Sequence, residues 1–83
     1  MSIKRLANAR QKTVGAKQTM KAVEKGRAKV VYVAKNAERR VTEPIIKVCQ
    51  DKAIPIEEVE SMQLLGKTCG IEVRCAVASI IED

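Results

Sequence analysis

Apolar residues along the chain follow two kinds of pattern. At helical spacing, Ala16, Met20 and Val23 fall on one side of a 3.6-residue turn, while Lys17, Gln18 and Lys21 share the opposite flank and Lys25 extends that row. The stretch predicts a helix that opens at Gly15 and Ala16 and closes at Gly26, where a left-handed residue commonly stops a helix. Residues 29–34 and 75–81 are instead nearly unbroken runs of β-forming and small residues, the signature of strands covered on both faces. Tyr32, the sole aromatic, is expected to be a half-buried strand residue.

The other elements are shorter. Ile3, Leu6, Ala7 and Ala9 suit the inner side of a helix over residues 3–11, with Lys4, Arg5 and Arg10 outward, and Thr13 and Val14 make a short extended piece. A second long helix is expected from Thr42, with Pro44 in its first turn and Ile45, Ile46, Val48, Cys49 and Ala53 as its apolar stripe. An edge strand spans 54–59; Ser61 then caps a short helix through Leu64, Leu65 and Cys69 that ends at Gly70, with Gly66 permitting close packing. Residues 71–74, Ile-Glu-Val-Arg, remain a loop whose two apolar side chains either cap the core or form a greasy contact beside the basic helix. Strands alternating with helices through right-handed crossovers predict an α/β chain: a three-layer α/β/α sandwich with a small, mostly parallel four-stranded sheet.

Composition narrows the function. Eighty-three residues, 46% hydrophobic and 31% charged, suit a single domain over 1–83. No apolar run approaches the ~18 residues of a membrane span. The charged start, Met-Ser-Ile-Lys-Arg, lacks the apolar segment of an export signal, so the expected location is the cytoplasm. Residues 1–40 carry 12 of the 16 Lys and Arg against Glu24 and Glu38 alone, a balance of +10, whereas residues 41–83 stand at −4. That asymmetry suggests a polyanion on one side of the molecule, a solvated basic face being the plainer reading. With no histidine, no C-x-x-C spacing and no cofactor-binding glycine fingerprint, no metal, cofactor or catalytic residue is expected. Cys49, Cys69 and Cys75 read as small buried hydrophobes.

Three linked segments carry a resemblance. Gly-Ala-Lys-Gln-Thr-Met-Lys-Ala-Val-Glu-Lys-Gly (15–26), Val-Glu-Ser-Met-Gln-Leu-Leu-Gly-Lys (59–67) and Cys-Gly-Ile-Glu-Val (69–73), in this order and spacing, resemble the L7Ae ribosomal protein superfamily, in particular its small bacterial YbxF-like members. The resemblance implies a non-catalytic protein that recognises the kink-turn, an RNA helix bent at a bulge next to tandem sheared G·A pairs. It implies that Gly15 gives close backbone approach, that Lys17, Gln18 and Lys21 meet base edges and phosphates, and that Lys25 contacts a phosphate. It also places Glu38 near the extruded nucleotide and Ile71, Glu72, Val73 and Arg74 on the loop that packs against the bulge. Lys17 and Gln18 stand where archaeal and eukaryotic members usually carry Asn and Glu; Arg74 stands where close bacterial relatives usually have Gly, adding a phosphate contact or stiffening the loop. The implied partner is ribosomal RNA or a structured messenger leader, with neither DNA nor a membrane, and the expected state is a monomer. A protein-binding adaptor with an incidental basic face is the competing reading.

Overall fold

The computed structural model describes residues 3–83; the first two residues of the charged start lie outside the described residues. The elements follow in the order α1 (Ile3–Asn8), β1 (Gln11–Val14), α2 (Ala16–Glu24), β2 (Val30–Ala34), α3 (Arg39–Asp51), β3 (Ile56–Val59), α4 (Met62–Thr68) and β4 (Val77–Glu82). The sheet has four strands in the order β1-β4-β2-β3. It is mixed, not mostly parallel. β2 and β3 pair in parallel, but β4 is antiparallel to both β1 and β2. The first three strands therefore do run the same way, as the crossover argument expects, and the fourth is inserted between β1 and β2 in the opposite sense.

The segment before β4 explains the reversal. α4 has 7 residues and runs only about 10 Å. The chain then doubles back along it: the Cys75 amide donates to the Met62 carbonyl at 3.1 Å, at the start of α4. Gly66 makes the close return possible, because a Cβ there would collide with the Val73 carbonyl. β4 accordingly begins near the end of the sheet where β3 finished, and runs the other way.

β2 is wholly buried, and its alternating side chains serve two hydrophobic clusters. Val30, Tyr32 and Ala34 join Leu6 of α1, Leu65 of α4, Ala78 and Ile80. Val31, Val33 and Val77 join Ala22 and Val23 of α2 with Ile45 and Cys49 of α3. Residues alternating along a strand point to opposite faces, so helices cover both sides of the sheet. Tyr32 is fully enclosed rather than half-buried. Its central strand has a cluster on either side, and burial, with a smaller contribution from Glu57, raises its phenol pKa. Ala7, expected inward, is exposed because α1 stops at Asn8 and presents only Leu6 as a fully buried residue. Gln11 belongs to β1, where it pairs with Glu82.

α3 begins three residues earlier than Thr42. Glu38 is its N-cap residue, and its carbonyl accepts from Val41 at 3.0 Å and Thr42 at 3.2 Å. Pro44 thus lies inside the helix, not in its first turn; the hydrogen bond it cannot donate belongs to the carbonyl of exposed Arg40, where water can substitute.

α2, α3 and α4 end in the same way. The residue after the C-cap donates to the carbonyl three residues earlier, inside the helix, and the next residue closes the wider ring to the carbonyl five residues earlier: Gly26 to Val23 and Arg27 to Ala22, Ala53 to Gln50 and Ile54 to Cys49, Gly70 to Lys67 and Ile71 to Gly66. Ala53 is exposed at φ 58°, not part of the apolar stripe, and is the one non-glycine in that left-handed position among the described residues. Ala53→Gly should therefore stabilise the protein by about 0.5–1 kcal/mol, the relief of left-handed strain exceeding the added backbone entropy of the unfolded chain. A higher urea midpoint at unchanged slope is the expected result; a lower midpoint would refute it.

Candidate nucleic-acid interface

The strand directions bring the expected site segments to one end of the sheet. β1, β2 and β3 all finish there and β4 starts there. A set of hydrogen bonds joins the exits: Gly15 N–H to Val77 at 2.9 Å, Ala34 N–H to Ala76 at 2.9 Å, and Lys35 N–H to Val59 at 2.8 Å. The Asn36 side-chain oxygen, for its part, accepts from the Met62 amide at 2.8 Å. The starts of α2, α3 and α4 and the loop before β4 therefore share this rim.

At the rim, α2 opens without a side-chain cap. Gly15 has φ 97° and ψ 160°, a conformation open essentially to glycine alone, and a Cβ built on it would meet nothing within 4 Å. The glycine is thus required by backbone conformation, and the space over it stays free for a partner. The first amides of α2 have no acceptors within the helix and carry the positive end of its dipole. Lys17 and Gln18 are exposed beside them. Gln18 also folds back, its Oε1 accepting from the Val14 amide at 3.3 Å, so its oxygen is engaged within the protein and its NH2 group remains to donate outward. Beneath, Thr13 Oγ1 lies 2.9 Å from Thr19 Oγ1 and 2.6 Å from Ser79 Oγ, a hydroxyl chain that ties α2 to β1 and β4.

The loop at 71–74 treats its two apolar residues differently. Ile71 packs against the core cluster, whereas Val73 is 69% exposed, beside exposed Glu72 and Arg74. Cys75 ties the end of the loop to the start of β4, its thiol donating to the Val77 carbonyl at 2.9 Å; the neighbouring Cys69 thiol holds its pKa down to about 7 despite burial. The same thiol contact, with burial, pushes Cys69 up. Cys75 is buried within the cluster beneath the rim, whereas Cys69, expected buried, is only half-buried and packs against it.

Not every expected site residue sits at the rim. Lys21 is one turn along α2 and Lys25 caps its far end, roughly 12 Å from Lys17 at the helical rise. Glu38 is at the rim as the N-cap residue of α3, with its carboxylate 3.4 Å from exposed Arg40. Arg10, Lys12 and Arg27, which the sequence did not single out, line a groove between β1 and α2 together with Gln18, Lys21 and Lys25. Only the charge excess of residues 1–40 hinted at them. Among the described residues no group of three or more metal-ligating side chains is gathered, and no helix is long and apolar enough to cross a membrane.

A four-stranded α/β sheet with a helix start and an adjacent loop on one rim defines the class, and the sequence matches the Ribosomal protein L7Ae/L30e/S12e/Gadd45 family over residues 2–83. The chain belongs to that family. An RNA-binding protein of Bacillus pumilus is 40% identical over 98% of this chain and 99% of its own length, and the RNA-binding protein YbxF of Geobacillus stearothermophilus is 33% identical over the same shares. Among solved structures, the Giardia lamblia 15.5kD RNA binding protein superposes with a TM-score of 0.85 at 29% identity, covering 98% of this chain and 68% of its own. A protein of unknown function from Bacillus halodurans gives 0.82 at 28% identity, covering 96% of this chain and 80% of that one.

The loop's seat on α4 is open to test through Gly66. A Cβ there would collide with the backbone carbonyl of Val73, which cannot rotate away as a side chain would. Gly66→Ala should cost about 1–3 kcal/mol and shift the amide resonances of residues 71–75 more than those of α2. Unaltered stability with unmoved loop resonances would show that the loop is not seated on this glycine.

Proposed function

We propose that this chain is a non-catalytic RNA-binding protein that recognises kink-turns through the rim, with the first turn of α2 entering at the sheared G·A pairs and the 71–74 loop packing against the bulge. The observation that carries the reading is the joining of these two segments: the Gly15 amide, at the start of the helix, donates at 2.9 Å to the carbonyl of Val77, where β4 begins just after the loop. A regular RNA helix hides its base edges in a narrow major groove, so a protein that carries few aromatics gains most by reading a helix where a bulge opens it. Val73 supplies the exposed apolar contact and Lys17 and Lys21 the phosphate contacts. The outward NH2 of Gln18 donates to a base edge. Glu38 faces the extruded nucleotide, and Arg74 contributes a further cation to the loop. The relatives named for RNA binding support the ligand class; the target is ribosomal RNA or a messenger leader, met by a monomer in the cytoplasm. Binding only the bent conformer would shift the RNA towards it.

The test is a fluorescence titration against a kink-turn duplex and the same duplex with its tandem G·A pairs converted to Watson–Crick pairs, at two salt concentrations. Preference for the kink-turn should persist as salt is raised, and Gln18→Ala should weaken it by about 1–3 kcal/mol without unfolding the protein. Equal and steeply salt-dependent binding to both duplexes would reduce the surface to a generic basic face and favour the adaptor reading.

A further inference from the structure

We propose that the groove between β1 and α2 is a second, contiguous RNA contact, which takes the phosphodiester backbone of the helical arm that leaves the bent site on the rim. The inference rests on the kink-turn reading and extends its footprint to Arg10 and Arg27.

The groove measures about 620 Å³, and its cations stand on different supports: Arg10 on the turn before β1, Lys21 and Lys25 on α2, and Arg27 just after it. No acidic side chain lines it. Four cations elsewhere have a carboxylate within 4 Å: Arg5 is 2.9 Å and Lys29 3.8 Å from Asp83, Lys35 is 3.9 Å from Glu60, and Arg40 is 3.4 Å from Glu38. Like charges gathered around a concave surface raise the local potential for an anion more than the same charges spread over a convex one.

Both arginines are placed by their backbones. The Arg27 amide donates to the Ala22 carbonyl at 2.9 Å in the α2 stop, and the Arg10 amide donates to the Asp83 carbonyl at 3.2 Å. Fixed stems leave less freedom to be lost on binding, and a guanidinium suits the paired oxygens of a phosphate. Lys12 plays a different part: its ammonium bonds the Leu6 and Ala7 carbonyls at 3.1 and 3.3 Å, so it holds α1 to the groove wall.

The occupant follows from continuity and from what the lining lacks. Gln18 belongs to both the rim and the groove, and Lys21 follows it one turn along α2, so an anion held in one continues into the other. The row from Lys17 through Lys21 to Lys25 extends roughly 12 Å, more than a single phosphate requires. No aromatic side chain is present to stack on a base, so the contact is with the backbone.

The experiment compares two kink-turn duplexes, one with a short arm and one with that arm extended by a helical turn, in titrations at several salt concentrations. Arg10→Gln/Arg27→Gln is measured beside the unaltered protein and beside Lys47→Gln/Lys52→Gln, a matched charge loss on and just beyond α3. All four side chains are exposed, and a thermal melt checks folding. The unaltered protein should bind the long-arm duplex more tightly; the arginine variant should lose about tenfold on it, with the salt slope reduced by about one to two, and bind the short-arm duplex as before. The lysine variant should match the unaltered protein on both. Absence of an arm effect, an arginine variant equal to the unaltered protein, or equal losses in both variants would overturn the inference while the kink-turn preference stands. If the unaltered protein fails to distinguish the kink-turn from its Watson–Crick control, the underlying reading fails instead.

Discussion

Two backbone hydrogen bonds, from Gly15 to Val77 and from Ala34 to Ala76, fix the point at which β4 enters between β1 and β2. Strand pairing there does more than close the sheet. It ties the exit of β1, where α2 starts, to the end of the 71–74 loop, where β4 starts, and so joins segments more than fifty residues apart in sequence. Had β4 been added at an edge parallel to its neighbours, the loop would have fed the opposite end of the sheet from the start of α2. The antiparallel insertion is therefore a condition of the candidate site, and it depends on the return over Gly66 that brings the chain back to the rim.

The same insertion separates the charges. β4 ends at Glu82 with Asp83 beyond it, at the end of the sheet away from the rim, and Asp83 is drawn on by Arg5 and Lys29. The Arg5 guanidinium holds this carboxyl below the usual carboxylate range. Both partners are exposed, so the pair adds little to stability; its effect is to place an acid among cations far from the rim. The lysines of α2 keep their positive field along one flank, and this distribution, more than the net charge of +6, suits the molecule to a polyanion.

Much of this was legible in the sequence. The α2 pattern fixed its basic and apolar flanks, and the Gly at 26 and 70 marked two helix ends through their left-handed backbone. The third end escaped because Ala53 adopts the same geometry against its preference, and residue type was the only available signal. Pro44 misled in the opposite way: a proline is best read as a helix start, but an exposed residue four positions earlier lets it lie within one. The sense of β4 could not be read, since a buried run looks alike in either direction; the deciding facts are the shortness of α4 and the space over Gly66. The loop was ambiguous for a related reason. Ile71 follows a helix stop and so turns inward, while Val73 lies beyond the reach of that motif. Arg10 and Arg27 lie in no shared sequence pattern, and only folding brings them to one groove.

Gln18 and Glu38 show what the free protein already supplies at the rim. Gln18 resembles the inner residue of a capping box, except that its oxygen bonds the amide of Val14, one residue before the N-cap Gly15. That contact limits its rotamers before any ligand arrives and leaves a donor, not an acceptor, facing outward. A base edge offering acceptors fits it better than one offering donors, a constraint on the RNA that an Asn–Glu pair at these positions would not impose. Glu38 starts from a different state, with its carboxylate next to Arg40, yet both groups are largely exposed and such a pair is worth only about 0–1 kcal/mol. Releasing that carboxylate to a nucleotide would cost little, whereas turning Gln18 around would strip the Val14 amide of its partner. The rim thus combines a fixed donor on α2 with an adjustable acid at the start of α3, and in the proposed complex the fixed one would dominate discrimination between RNA shapes.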